Sequence, residues 1–173
     1  MKSTANNHMV YAGTVKLSQR IGKQTFEVAK LDNAGGAALF DFLSDCLAGN
    51  FDSALVKRPV KIKLLLENAS DPGTFAEDEG SGFIYLSTLP EKSIATREKG
   101  VVVRYSFLVT REQSKVTFNH IGLYAAGATD INDYAAVVSV PEDVLNVFNT
   151  STDAIVSAMV IDWELNISNK ENA

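Results

Sequence analysis

The sequence predicts a mostly-β protein, an antiparallel β-sandwich of about eight strands with one short α-helix at about residues 37–48. Two observations support this prediction. Short runs of alternating apolar and polar residues recur along the chain, separated by turn-forming segments, which is typical of antiparallel sheets. Only one stretch has apolar residues at helical spacing. Because no repeat or linker divides the 173 residues, we expect a single domain spanning 1–173, with polar termini at 1–8 and 169–173.

The first two strands are expected to form a hairpin. Alternation predicts strands at 9–17 and 25–31, joined by a turn at 20–23 in which Gly22 can adopt a positive φ angle. Six further strands are predicted by the same alternation, at 59–67, 83–89, 101–109, 116–124, 134–140 and 154–168. The strands at 101–109 and 116–124 are expected to pair as a second hairpin across the polar turn 111–115.

The helix is predicted by apolar residues that recur at spacings of three and four, namely Leu39, Phe40, Leu43, Cys46 and Leu47. Gly49 follows the last of them, where a left-handed residue would end the helix. Cys46 is the chain's one cysteine, and its apolar setting predicts a buried, inert thiol. Gly35 and Gly36 precede the helix, but this segment lacks the lysine and hydroxyl residue of a phosphate-binding loop, so a plain turn is expected there.

The last predicted strand shows the clearest division into two faces. Ile161, Trp163 and Leu165 alternate with Asp162 and Glu164. In an antiparallel sheet with one wet face this pattern directs the apolar set inward. We therefore expect Trp163 to lie in the core.

The charge balance makes nucleic acid an improbable partner class. Formal net charge is −5 and the sequence pI is near 5.0, whereas a duplex-binding protein needs a basic footprint. The one local basic stretch, at 57–63, alternates lysines with apolar residues and is expected to be the solvated face of a strand.

No membrane segment or secretion signal is predicted. The longest apolar runs fall short of the roughly 20 residues that span a bilayer. Residues 1–7 are polar and have no hydrophobic signal core. Synthesis in the cytoplasm is therefore expected.

Few residues offer catalytic chemistry. The chain has two histidines, His8 and His120, and no pattern of zinc ligands or serine nucleophile elbow. His120 is expected to be a strand residue that hydrogen-bonds a neighbour, and the pair Asp162 and Glu164 to face water or a partner. An acidic group lies in the loop at 68–82, at Asp71, Glu77, Asp78 and Glu79, but its spacing does not match an EF-hand, so a solvated loop is expected. We expect no catalytic residues, no cofactor-binding residues, no metal site and no cofactor.

One segment resembles a known class of proteins. The stretch Phe118-Asn119-His120-Ile121-Gly122-Leu123-Tyr124 is similar to the IGLY strand of tail-fibre, baseplate and related virion proteins of tailed bacteriophages. The resemblance continues through the Ala-Ala-Val-Val run at 135–138, Pro141, and the final Val-Ile-Asp-Trp-Glu-Leu-Asn-Ile run at 160–167. A looser similarity covers 33–50 and the strand that starts at Arg58-Pro59.

The resemblance implies a bacteriophage structural protein of the virion, made in the host cytoplasm, that forms a homo-oligomer and binds other virion proteins. An adaptor, baseplate, collar, fibre-anchor or capsid-decoration role in the capsid–tail assembly is expected, with no nucleic acid, membrane or enzymatic activity. Two alternatives remain open. One is a carbohydrate- or ligand-binding module that uses the 68–82 loop and Tyr124. The other is a hydrolase built on His120, Asp162 or Glu164.

Overall fold

The computed structural model describes residues 9–76, 82–87, 89–96, 100–149 and 156–169. Within these ranges the chain is mostly antiparallel β, which confirms the predicted fold class. The strands are β1 Met9–Ile21, β2 Gln24–Gly35, β3 Pro59–Glu67, β4 Phe75–Ala76, β5 Ile84–Tyr85, β6 Glu91–Thr96, β7 Gly100–Thr110, β8 His120–Ala125, β9 Tyr134–Ser139 and β10 Val156–Asn169. The helices are α1 Ala37–Ala48, α2 Phe51–Lys57 and α3 Glu142–Asn149, and Gln113–Lys115 forms a short 3₁₀ turn.

The strands follow one continuous hydrogen-bonded path, in the order β4-β3-β8-β9-β2-β1-β10-β7-β6, and β5 pairs with β3 beside it. The strand β2 belongs to both halves of this path. Its residues from Gln24 to Asn33 pair with β1, and Ala34 and Gly35 pair with β9. The path therefore divides into two sheets, β6-β7-β10-β1-β2 and β4-β3-β8-β9-β2, in a sandwich-like arrangement.

A short segment joins the two sheets on the side opposite β2. The backbone N–H of Leu86 donates to the carbonyl of Val60 on β3 at 2.9 Å. The next N–H, of Ser87, donates to the carbonyl of Ser106 on β7 at 3.1 Å. Because β3 and β7 lie in different sheets, residues 84–87 link the two layers at this edge.

The main core lies between the layers. It combines fully or nearly fully buried side chains from both sheets and from α1, among them Leu17, Leu39, Ile62, Phe107, Ile121, Leu123, Ile161 and Trp163. On β7 and β10 the inward residues alternate with half-buried or exposed ones, as predicted. Burying such large apolar groups stabilises the fold by roughly 1.5–3 kcal/mol for each side chain.

The first and last strands of the chain pair with each other. The strands β1 and β10 run antiparallel, with Met9 opposite Asn169 and Leu17 opposite Ile161. At the other end of β1, the turn to β2 contains Gly22 at φ 58°, and all described non-glycine residues have negative φ. A positive φ at the first of two turn residues is what a type II′ hairpin needs, so the predicted turn is confirmed.

The helices α1 and α2 pack against each other as a pair. Asp45 of α1 accepts a hydrogen bond from the Ser53 hydroxyl at 2.7 Å and lies 2.8 Å from the Lys57 ammonium. The hydrogen bond from Lys57 is the main reason that the pKa of Asp45 lies below its usual value. The buried Leu39 anchors α1 in the main core. Cys46 is a free thiol and is half-buried rather than buried.

The predicted second hairpin is wrong. β7 pairs with β6 and β10, whereas β8 pairs with β3 and β9 in the other sheet. The 3₁₀ turn and residues 116–119 carry the chain from one layer to the other between these strands. Alternation identifies the faces of a strand, but it does not identify the neighbour to which the strand hydrogen-bonds.

Several elements are absent from the sequence prediction. The sequence predicts one helix, whereas the structure also has the helices α2 and α3, and it has the strand β6 where no strand is predicted. The strand expected at 83–89 is reduced to Ile84–Tyr85. The polar termini at 1–8 and 170–173 lie outside the described residues, whereas Asn169 belongs to β10.

We predict that Trp163→Ala lowers the free energy of unfolding by about 3–5 kcal/mol, because its side chain is fully buried. Among the described residues no acceptor meets the indole N–H. Trp163→Phe keeps an aromatic ring and removes that unpaired donor, so it should cost less than about 1.5 kcal/mol. Urea denaturation of both variants measures the difference. Equal costs for the two would contradict this description of the indole site.

Candidate functional site

The strand with the IGLY sequence lies between two clusters of apolar side chains. Ile121 and Leu123 are fully buried in the main core. Tyr124 is also fully buried, but on the other side, in a second cluster with Leu65 and Ile131. Both faces of β8 are therefore buried.

Gly122 is required by the position of the Tyr124 ring. A Cβ atom on Gly122 would lie 2.6 Å from Cε2 of Tyr124, closer than real contacts allow, and 3.0 Å from Cδ1 of Leu65, which is a tight contact. The ring lies along the strand over the glycine, and its hydroxyl donates to the carbonyl of Ile131 at 2.7 Å. Burial raises the pKa of Tyr124 far above its usual value. In this chain, therefore, packing of the Tyr124 ring requires the glycine of the IGLY pattern.

The prediction that the basic stretch at 57–63 is solvated is wrong for Lys61, which is 4% exposed. Its ammonium lies 4.0 Å from the centroid of the Phe83 ring and donates to the carbonyls of Ala126 and Ala128. Desolvation by burial lowers the pKa of Lys61. These partners satisfy the charge, because two carbonyls and an aromatic face replace water around it. The stretch was misread because the second cluster covers this face of β3.

His120 makes the kind of contact that the sequence predicts. Its Nδ1 lies 2.9 Å from Oδ1 of Asn119, and the same oxygen accepts the backbone N–H of Glu67 at 2.9 Å. The side-chain oxygen of asparagine can only accept hydrogen bonds, so Nδ1 of His120 carries the hydrogen and donates it. The ring also meets the edge of Phe75, with centroids 5.3 Å apart.

The carboxylates of β10 lie in the opposite sheet from His120 and have other partners. Asp162 accepts a hydrogen bond from the Ser106 hydroxyl, and Glu164 binds the Arg104 guanidinium, whose Nε lies 2.9 Å from Oε1. Among the described residues no hydrogen bond or ion pair joins either carboxylate to His120. The three residues of the hydrolase alternative are therefore not brought together.

In the parts of the chain that the structure describes, no group of three histidine, cysteine, aspartate or glutamate side chains is placed to hold a metal ion. Of the proposed acidic loop, Asp71 is described, whereas Glu77, Asp78 and Glu79 lie outside the described residues. No helix in the described ranges has the length and apolar character needed to cross a bilayer.

The ligand-binding alternative placed a pocket at Tyr124, which is fully buried and therefore closed to a ligand. A cleft of about 710 Å³ lies elsewhere, in the size range of roughly 300–1,000 Å³ that is usual for ligand sites. Its walls come from Phe42 on α1, residues 58–60, residues 85–87 and 89–90, and Tyr105 on β7. We name this pocket the Arg58 cleft. It lies where the segment that links the two sheets passes the helix pair.

The walls of the Arg58 cleft are mostly apolar. Tyr85 is 64% exposed and Leu89 is 88% exposed, while Phe42 and Leu86 are half-buried. Arg58 is exposed, and among the described residues its guanidinium has no ion pair or side-chain hydrogen bond. This site is absent from the sequence prediction because its residues come from four separate segments, and the only local signal is an arginine before the strand proline.

The helix pair exposes apolar side chains as well. Of the nine large hydrophobic residues left exposed in the described ranges, five lie on α1 and α2, namely Phe40, Leu47, Phe51, Leu55 and Val56. Two more, Tyr85 and Leu89, line the Arg58 cleft. Exposed apolar groups that are concentrated in this way are typical of surfaces that bind other molecules.

Comparisons of this chain with protein-family models, with curated proteins and with solved structures found no match.

We predict that Gly122→Ala lowers the free energy of unfolding by about 1–3 kcal/mol, because the added methyl group must displace the Tyr124 ring or Leu65. The matched control is Gly82→Ala, where a Cβ atom meets nothing within 4 Å. Denaturant titration of both variants measures the costs. A Gly122→Ala variant as stable as the control would show that the ring does not occupy this position.

Burial lowers the pKa of His120 below 6.5, and the nearby Glu67 opposes this shift. A lowered pKa in the folded state means that the unfolded chain binds the proton more readily. The free energy of unfolding should therefore fall as the pH drops below about 6.5. We predict that His120→Gln flattens this slope, measured by urea denaturation at pH 7.5, 6.5 and 5.5. An NMR titration that gives His120 a pKa above 6.5 would reverse the expected sign.

Proposed function

We propose that this protein is a structural component of a bacteriophage virion and acts by binding other protein chains, including copies of itself, without catalysis. Adaptor, baseplate, collar, fibre-anchor and capsid-decoration roles all fit such a component. It would be made in the host cytoplasm and incorporated into the particle. We propose neither nucleic acid nor a membrane as its partner.

The observation that carries the proposal is the set of five exposed apolar side chains on the helix pair. A monomer that remained alone in water would gain solubility from polar residues at these five positions. Apolar residues are retained there at a cost in solubility, and a protein partner that covers them accounts for this. In the ranges that the structure describes, the strand path ends at β4 and β6, and these edge strands offer further backbone groups for pairing across chains.

The assignment to a virion is supported by the resemblance of β8, β9 and β10 to strands of phage tail-fibre and baseplate proteins. The IGLY segment, the Ala-Ala-Val-Val run and the tryptophan-containing final strand follow in the same order in this chain. Residues at a shared interface are also repeated by symmetry in such particles, so a modest apolar area can hold a component through many copies.

Analysis of purified particles tests the virion role directly. Particles of the phage that encodes this chain should contain its peptides after density-gradient purification, and mass spectrometry should detect them at a fixed ratio to the major capsid or tail protein. Detection only in the soluble fraction of the lysate would exclude this role.

We predict that the double variant Phe51→Ser/Leu55→Ser lowers self-association or binding to particles by at least tenfold. These residues are 69% and 55% exposed, so the folded monomer should lose little stability. Val147→Ser, on the exposed part of α3, is the matched control. Sedimentation velocity and co-sedimentation with particles measure association. Unchanged association of the double variant would show that the exposed side of α2 is not the interface.

A further inference from the structure

We propose that the Arg58 cleft is a docking site for a peptide segment of a partner protein, one that presents a large apolar side chain next to a carboxylate. The inference rests on the proposed function in one respect, because it takes the partner to be protein. It goes further by naming the site on this chain and the chemistry that the site recognises.

The apolar part of the cleft sets the first requirement on the occupant. Tyr85 and Leu89 extend from the segment 84–90 into solvent, and Phe42 and Leu86 form the wall behind them. A Tyr or Leu exposed to this degree buries more than half of its surface when a partner covers it. Each such contact favours binding, because apolar surface is removed from water.

The charge of Arg58 sets the second requirement. Its guanidinium stands at the cleft without an ion pair to any described residue. Arg58 lies at the carboxyl end of α2, and the next residue, Pro59, is buried at the start of β3. The backbone of Arg58 is therefore anchored. An anchored guanidinium has five donors in a planar arrangement that matches a carboxylate with two parallel hydrogen bonds. An acidic group next to the apolar side chain would complement it.

The cleft suits a peptide better than a sugar. A glycan presents many hydroxyl groups and needs a matching number of donors and acceptors. Apart from Arg58, the polar side chains that line the cleft are Tyr85, Tyr105 and Ser87, and the Ser87 hydroxyl already donates to the carbonyl of Ser106 at 2.7 Å. An apolar side chain with one neighbouring carboxylate leaves fewer polar groups without a partner on this surface than a glycan would. The volume of about 710 Å³ accommodates several residues of such a segment.

The probes for the test are short synthetic peptides that contain Phe, Tyr or Leu next to Asp or Glu, displayed as an array. Each acidic peptide is paired with a copy in which Asn or Gln replaces the acid. The full-length chain is applied to the array, and the best pair is measured by isothermal titration calorimetry. The small carboxylate 4-phenylbutyrate is titrated alongside, because it carries the same two features without a peptide backbone.

Two variants locate the binding site. Arg58→Gln removes the charge and Tyr85→Ala removes an exposed ring, and both changes are at the surface, so the fold should remain intact. The matched control is Arg111→Gln, an exposed arginine in the turn after β7. Arg58→Gln should lower the affinity for the acidic peptide by about tenfold or more, which is the usual contribution of a charged hydrogen bond. The affinities of the neutral copy for Arg58→Gln and for the unsubstituted chain should agree within about twofold. Arg111→Gln should leave the affinities for the acidic and the neutral peptide unchanged.

The outcomes separate this proposal from the virion role. The docking site is supported if an acidic peptide binds the unsubstituted chain more tightly than 4-phenylbutyrate does, and if Arg58→Gln and Tyr85→Ala both lower its affinity. This conclusion holds even for a chain that is absent from particles. A chain present in particles that shows no preference for the acidic copies has the proposed role without this site. Equal affinity for 4-phenylbutyrate and the best peptide would make the cleft a small-ligand site and overturn the proposal.

Discussion

The arrangement of this protein depends on the burial of β3 and β8 on both of their faces. Ile62 and Ile121 enter the main core between the sheets, whereas Leu65 and Tyr124 enter the second cluster outside them. Because both faces are held, the start of β3 cannot move independently of the core. That start carries Arg58 from the end of α2, so the position of the helix pair and of the cleft beside it follows from the packing of two central strands.

A charged residue and a glycine show how closely the second cluster is packed. The ammonium of Lys61 is surrounded by carbonyl oxygens and an aromatic ring, and Gly122 leaves room for the Tyr124 ring and nothing more. Isolated buried charges are strongly unfavourable, so the partners of Lys61 must be in place whenever the cluster is closed. The loop at 126–128, which supplies two of them, is thereby tied to the middle of β3.

Features that depend on neighbouring residues could be predicted from the sequence, and those that depend on distant ones could not. The bounds of α1 and β3, the Gly22 turn and the inward face of Trp163 all follow from local pattern. The burial of Lys61 depends on carbonyls 65 and 67 residues away, and the partner of β7 depends on which strand covers it. The Arg58 cleft combines short pieces of four segments, none of which has a pattern of its own. α2 was missed because its exposed apolar residues do not produce the amphipathic spacing of a helix that faces a core.

The pairing of the first and last strands has a mechanical consequence. Since Met9 lies opposite Asn169, the two ends of the described chain emerge side by side from the same end of the sheet. A force that separates these ends would break the backbone hydrogen bonds between β1 and β10 one pair after another instead of all at once. The same closeness of the ends would let the whole domain sit within a surface loop of another polypeptide without straining either fold.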